Sequence, residues 1–160
     1  MTAYEFAGSG VIILGAAIWG RMRASEERKK LKTLADFRAF ADFAGESIGR
    51  AKMPLREIYS SYPPASRGMK LFLDEASASD IRTAWEKYPP QLPVEVRDCA
   101  KTFVFSLGRG YSDEEKEKCA LCSSVLGEYE KKLTGDIGSR EKLYTLLPPL
   151  LAASVLIVLI

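Results

Sequence analysis

The sequence predicts an all-α protein, an antiparallel bundle of about six helices flanked by an N-terminal and a C-terminal transmembrane helix. Between residues 31 and 142, apolar residues recur every three or four positions, which places them on one face of a helix. No stretch alternates apolar and polar residues for long enough to form a strand. Proline and glycine interrupt the pattern at short intervals, and the resulting short loops favour antiparallel neighbours.

The C-terminal end, residues 143–160, is apolar and carries no charge. As a helix it would rise roughly 27 Å, close to the hydrocarbon thickness of about 30 Å. Its Leu, Ile and Val residues each favour insertion at the bilayer centre. Pro148 and Pro149 predict a kink in this helix, because neighbouring helices or water can satisfy the carbonyls that proline frees. We therefore expect a C-terminal transmembrane helix over residues 143–160.

The N-terminal end contains a shorter apolar run, residues 6–20, which would rise roughly 22 Å as a helix. A secretory signal peptide is the alternative, but the positive charges follow the apolar run instead of preceding it. Residues 1–22 are therefore predicted to form a transmembrane helix with its flank. Basic residues follow this run and also precede residue 143, which predicts a cytoplasmic location for the domain of residues 23–142.

Six amphipathic helices are predicted within this domain. Their inward-facing residues are Leu34, Phe37, Ala41, Ala44 and Ile48; Leu55, Ile58 and Tyr59; Met69, Phe72 and Leu73; Ile81, Ala84, Trp85 and Tyr88; Val96, Cys99, Phe103 and Leu107; and Cys119, Cys122, Leu126, Tyr129, Leu133 and Ile137. Ser79 is the predicted N-cap of the fourth helix, and Pro93 begins the fifth. Ser112 and Glu115 have the spacing of a capping box at the start of the sixth.

Composition excludes several classes of function. The net charge of +2 argues against nucleic acid as the main partner, because phosphate binding requires a concentrated basic surface. The chain has no histidine, which removes the commonest general base and the commonest metal ligand. Three cysteines, an odd number, fit a reducing compartment better than a disulfide framework.

One motif, Cys119-Ala-Leu-Cys122, could indicate a redox pair or half of a zinc site. Zinc needs four ligands, and only Cys99 could add a third thiolate. A redox cysteine is expected at a helix N-terminus after a strand, whereas Cys119 lies well inside a predicted helix. Core packing is the favoured interpretation, and a membrane thiol-redox protein is the less favoured alternative.

No other catalytic motif is present. Arg109 lies between two glycines, but the surrounding residues lack the framework of a phosphate-binding loop. No nucleophile has a base beside it in the sequence. We therefore predict no catalytic residue, cofactor, metal or small-molecule substrate, and a membrane-anchored helical adaptor that is not an enzyme.

The order and spacing of several short motifs resemble those of the stage III sporulation protein AB family of endospore-forming bacteria, over essentially the whole length. These motifs lie between the two apolar ends and are Glu46-Ser47-Ile48, Pro54-Leu55-Arg56-Glu57, Ala84-Trp85, and Leu107-Gly108-Arg109 followed by Asp113. The family is similar to the cytoplasmic helical domains of F-type platform proteins in type II secretion and type IV pilus systems.

This resemblance implies a membrane platform in the sporulation channel that joins the mother cell to the forespore. The protein would lie in the mother-cell-side membrane around the forespore and bind other channel proteins, including a secretion-type ATPase. A platform subunit of a secretion or pilus machine is the alternative. A homo-oligomer is compatible with either function.

Five charged residues are the predicted partner-binding site. They lie at predicted helix ends near loops, where side chains are accessible to another protein. These residues are Arg50, Arg56, Glu57, Arg109 and Asp113.

Overall fold

The structure is a computed structural model that describes the backbone of residues 3–159. Side-chain surroundings are described for these residues except 3–13, 16, 17, 51, 137–145, 148, 149, 152, 153 and 155–159. Six α-helices and no strand are present in this part of the chain, which confirms the predicted all-α class. The helices are α1 (Ala3–Glu46), α2 (Leu55–Ser61), α3 (Arg67–Ala78), α4 (Ile81–Lys87), α5 (Val94–Ser106) and α6 (Ser112–Leu159).

The chain divides into two compact units. One unit is Lys29–Leu133, which contains α2 to α5 and the adjoining parts of α1 and α6. The other consists of Met1–Arg28 together with Thr134–Ile160. The predicted division at residues 22 and 142 stays a prediction.

The first and last helices are longer than the amphipathic patterns predict. α1 begins at Ala3, so the predicted N-terminal span and the first bundle helix are one continuous helix. α6 likewise continues from Ser112 to Leu159 through the predicted C-terminal span. Residues 21–32 are mostly Arg, Lys and Glu, which are strong helix formers and give α1 no reason to end there.

Two transmembrane helices are predicted from the apolar ends, residues 6–20 and 143–160. In the part of the chain that the structure describes, no helix has an apolar stretch long enough to cross a bilayer. Side chains at 6–13, 16 and 17 and most of those at 143–160 lie outside the described residues. Membrane insertion therefore stays a prediction.

Aromatic side chains from four helices form the centre of the core in the Lys29–Leu133 unit. The Phe37 ring on α1 makes edge-to-face contacts with Phe40, Trp85 and Phe103, at centroid distances of 6.1, 6.4 and 6.2 Å. Trp85 also contacts Phe72 of α3, at 5.9 Å. Such pairs contribute about 0.5–1.5 kcal/mol each beyond the burial of their area. Phe37 thus joins α1 to α4 and α5, and Trp85 joins this cluster to α3.

Most of the predicted inward-facing residues are buried, and two details of α4 are wrong. Ser79 is the C-cap of α3, while Asp80 is the N-cap of α4 and accepts a hydrogen bond from the Arg82 N–H at 3.3 Å. Tyr88 is 37% exposed. Because α4 ends at Lys87, the non-helical backbone of Tyr88 (φ −134°, ψ 63°) takes its side chain off the buried stripe.

α1 and α6 pack antiparallel within this unit. Arg38 Nη1 is 3.0 Å from Glu130 Oε2. Seven residues further along α1, a Cβ added at Gly45 would lie 3.0 Å from the Cβ of Cys119, eleven residues earlier in α6. Contacts that advance along one helix and retreat along the other define antiparallel neighbours. Glycine at position 45 permits the close approach of the two helices.

Replacing Gly45 with valine should destabilise the fold by about 2 kcal/mol, because the added methyl groups have no space against Cys119. Urea unfolding of the full chain in detergent, followed by circular dichroism, measures this loss. Gly135→Val is the matched control, since nothing lies within 4 Å of a Cβ at that position. Equal stability of the two variants would contradict the close approach.

Candidate protein-interaction site

The five predicted partner-binding residues lie on segments that converge at one end of the Lys29–Leu133 unit. The Ser112 hydroxyl, at the start of α6, donates to the Ile48 carbonyl in the turn after α1 at 3.3 Å. A Cβ at Gly108 would lie 2.6 Å from Leu55 Cδ1, so the α5–α6 loop contacts the start of α2. This region, residues 47–57 and 107–113, is called the loop end. It carries Arg50, Arg56, Glu57, Arg109 and Asp113.

All five side chains are exposed to solvent. Arg50 lies in the π-helical turn Ser47–Ala51, with its side chain 83% exposed and 4.0 Å from Glu46. Glu57 lies in the first turn of α2, Arg109 in the α5–α6 loop, and Asp113 in the first turn of α6. An exposed pair such as Arg50–Glu46 contributes little to stability. Within the described residues, no ion pair joins two of the five to each other.

Arg56 has a structural role that the sequence does not predict. Its Nε donates to the Ser77 carbonyl at 2.6 Å and its Nη2 to the Ala78 carbonyl at 3.5 Å. These carbonyls belong to the last turn of α3, whose backbone oxygens lack helical partners and carry partial negative charge. Arg56 therefore connects the start of α2 to the end of α3, even though it is exposed.

The buried carboxylate of Glu115 holds the α5–α6 loop in place. Glu115 is 4% exposed and accepts hydrogen bonds from the Gly108 N–H at 3.0 Å and the Gly110 N–H at 2.8 Å. Lys118 Nζ lies 3.0 Å from the same carboxylate and compensates its charge. Gly108 adopts φ 79°, a conformation that favours glycine. The loop that carries Arg109 is therefore fixed by charge-assisted hydrogen bonds.

The predicted capping box at the start of α6 is wrong. The Ser112 hydroxyl donates to Ile48, and the Glu115 N–H donates to the Tyr111 carbonyl at 2.9 Å instead of to the Ser112 side chain. Glu115 lies four residues before Cys119, on the buried face of α6, where its carboxylate meets the loop N–H groups. This spacing is the sequence signal for its burial.

The sequence-based prediction missed a basic patch that lies beside Arg109. Arg109, Lys101 and Lys118 line a hollow of about 430 Å³ next to the half-buried ring of Phe105. The Lys101 ammonium and the Arg82 guanidinium each lie 5.5 Å from the centre of this ring. Cations near an aromatic face are attracted to it. The sequence signal is the spacing of four between Lys101 and Phe105 on α5.

The three cysteines are free thiols packed in or near the core. Burial raises the pKa of the Cys119 thiol to about 11 and also raises the pKa of the Cys122 thiol. Cys99, on α5, is half-buried and lies near Cys122. Thiols that stay protonated are poor nucleophiles, so these surroundings favour the packing interpretation. Among the described residues, no group of Cys, Asp and Glu could hold a metal ion.

An all-helical unit that presents exposed charges on fixed loops is typical of proteins that act through surface contacts. The chain belongs to the stage III sporulation protein AB family, whose family model matches residues 5–160. It is therefore a sporulation-associated protein, and the predicted resemblance is confirmed. No curated protein and no solved structure matches the chain significantly.

Glu115→Gln should lower the free energy of unfolding by about 1–3 kcal/mol, because one of the two glycine N–H groups loses its charged acceptor and Lys118 loses its counter-charge. Urea unfolding of the full chain in detergent measures the change. Glu117→Gln is the control, since Glu117 is an exposed neighbour on the same helix. Equal stability of the two variants would show that the carboxylate does not hold the loop.

Iodoacetamide at pH 8 should label Cys119 and Cys122 slowly in the native protein, because their raised pKa values leave little thiolate. Unfolding in urea should make all three cysteines react at similar rates. Mass spectrometry of proteolytic fragments assigns the label to each cysteine. If Cys119 reacted as fast in the native protein as in the unfolded protein, this result would support the thiol-redox alternative.

Proposed function

We propose that the protein is a non-catalytic platform subunit of the sporulation channel between mother cell and forespore, coupled to a secretion-type ATPase. Family membership supports a role in sporulation. The observation that carries the platform role is the loop end, where exposed charges stand on a backbone that part-buried hydrogen bonds already hold. A preorganised surface loses little entropy when it binds a partner.

Two apolar chain ends support a membrane location. Residues 143–160 carry no charge, and their length as a helix matches a bilayer. Basic residues flank both apolar ends on the side of the Lys29–Leu133 unit, which favours a cytoplasmic location for that unit. The protein would then lie in the mother-cell-side membrane around the forespore, with most of its chain in the mother-cell cytoplasm.

The charges of the loop end suit recognition of another protein. Arg50 and Arg109 are positive, whereas Glu57 and Asp113 are negative. A partner with the complementary arrangement of charges would therefore bind in one orientation. The basic patch of Lys101, Arg109 and Lys118 continues this surface. We assign the ATPase contact to the exposed charges of the loop end together with this basic patch. Arg56 mainly stabilises the surface through its hydrogen bond to the end of α3.

A platform subunit of a type II secretion or type IV pilus machine is the second candidate. The sporulation family match favours the channel over this alternative. Neighbouring genes separate the two, since a channel subunit should lie among sporulation membrane proteins and the alternative among pilins. The buried cysteines disfavour the third candidate, a membrane thiol-redox protein.

Deletion of the gene should arrest the host after forespore engulfment and abolish heat-resistant spores. A chromosomal copy with Arg50→Glu and Arg109→Glu should reduce co-purification of the secretion-type ATPase by about tenfold or more, because like charges would then oppose the partner. Spore counts, immunoblots for protein abundance and affinity purification measure these effects.

Lys131→Glu with Lys132→Glu is the control for the charge reversal, since it changes net charge equally at exposed positions outside the loop end. Wild-type spore counts after deletion would exclude the channel role. An arrested deletion strain in which both charge-reversed pairs retain the ATPase would keep the channel role and exclude the loop end as the contact.

A further inference from the structure

A basic cleft of about 720 Å³ lies on the Lys29–Leu133 unit, apart from the residues of the loop end. It is bounded by α1, by the beginning of α3 and by the segment that joins α4 to α5. None of the described residues that line it is acidic. Its basic lining residues are Lys29, Lys32, Arg67 and Lys87.

One wall of the cleft is fixed by a second buried carboxylate. Asp36, 4% exposed, accepts hydrogen bonds from the Ala65 N–H at 3.1 Å and the Ser66 N–H at 2.8 Å. The Tyr62 hydroxyl lies 2.8 Å from the same carboxylate. Ser66 in turn caps α3 by accepting from the Met69 N–H at 3.3 Å. The segment entering α3 is therefore preorganised.

The opposite wall contains a cation whose charge is already compensated. Lys87 Nζ lies 3.1 Å from Glu75 Oε2 and 5.4 Å from the centre of the Tyr88 ring. Lys29, Lys32 and Arg67 differ, because no carboxylate lies within ion-pair distance of them in the described part of the chain. These three cations are available to an anionic ligand.

Apolar surface lies among these charges. Leu71 is 43% exposed and Tyr88 37% exposed, and both line the cleft. Nothing lies within 4 Å of a Cβ at Gly68, so the first turn of α3 is open at this point. That turn adds the positive end of the helix dipole to the three cations. The cleft thus combines positive potential with a site for an apolar side chain.

We propose that this cleft binds an acidic peptide segment of a partner protein. Its carboxylates would face Lys29, Lys32 and Arg67, and one apolar side chain would pack on Leu71 and Tyr88. A concave surface with apolar residues between its cations fits alternating acidic and apolar side chains better than a flat layer of lipid headgroups. The net charge of +2 disfavours nucleic acid. The proposal does not depend on the channel function.

Fluorescence anisotropy tests the cleft with the full-length chain in detergent micelles. The probe is a short fluorescein-labelled peptide that alternates aspartate with leucine, and a peptide that alternates asparagine with leucine is its neutral match. We expect the acidic peptide to bind more tightly, with an affinity that falls as salt rises. Lys32→Glu with Arg67→Glu should weaken binding by about tenfold or more.

Lys131→Glu with Lys132→Glu is the matched control, because it changes net charge equally outside the cleft and should leave peptide affinity unchanged. Leu71→Ser should weaken binding without changing its salt dependence. Circular dichroism confirms that each variant is folded, and Lys32→Gln with Arg67→Gln replaces the reversed pair if that pair fails to fold.

Three outcomes would overturn the proposal. The acidic peptide could fail to bind, or both reversed pairs could lose affinity equally, which would indicate a general charge effect. Thirdly, short-chain phosphatidylglycerol could bind through Lys32 and Arg67 while the peptide does not, which would assign the cleft to lipid. None of these outcomes bears on spore formation in the deletion strain, so the cleft and the channel role fail separately.

Discussion

The arrangement of the loop end depends on one buried carboxylate. Glu115 accepts the N–H groups of Gly108 and Gly110, and it can do so only because α6 places it on the buried face, one turn before Cys119. A buried charge is costly unless hydrogen bonds and a counter-charge compensate it, and the loop and Lys118 supply both. The position of Arg109 follows from this contact.

Asp36 acts in the same way at the other exposed surface. It accepts two backbone N–H groups from the segment before α3, as Glu115 does before α6. Both surfaces therefore consist of exposed side chains on a backbone segment that a buried carboxylate holds in place. This division suits the platform role proposed above, in which one arrangement of charges would be presented repeatedly to other proteins.

The apolar spacing was sufficient to predict the helices and most of the core, because burial of one face decides both. It could not predict the ends of α1, since the charged residues after Arg21 continue a helix as readily as they begin one. Local motifs were less reliable, because Ser112 has the spacing of a capping box but contacts Ile48, which is distant in sequence. The predicted site residues likewise come together through tertiary contacts, which the spacing of residues along the sequence does not predict.

Gly108 links the evolution of the α5–α6 loop to that of the first residue of α2. A Cβ at this position would lie 2.6 Å from Leu55 Cδ1, and the backbone there has φ 79°, so both space and conformation select glycine. A homologue with a small side chain such as asparagine at 108 would need the side chain at position 55 to move or to be smaller. The two positions should therefore vary as a pair, although 53 residues separate them in the chain.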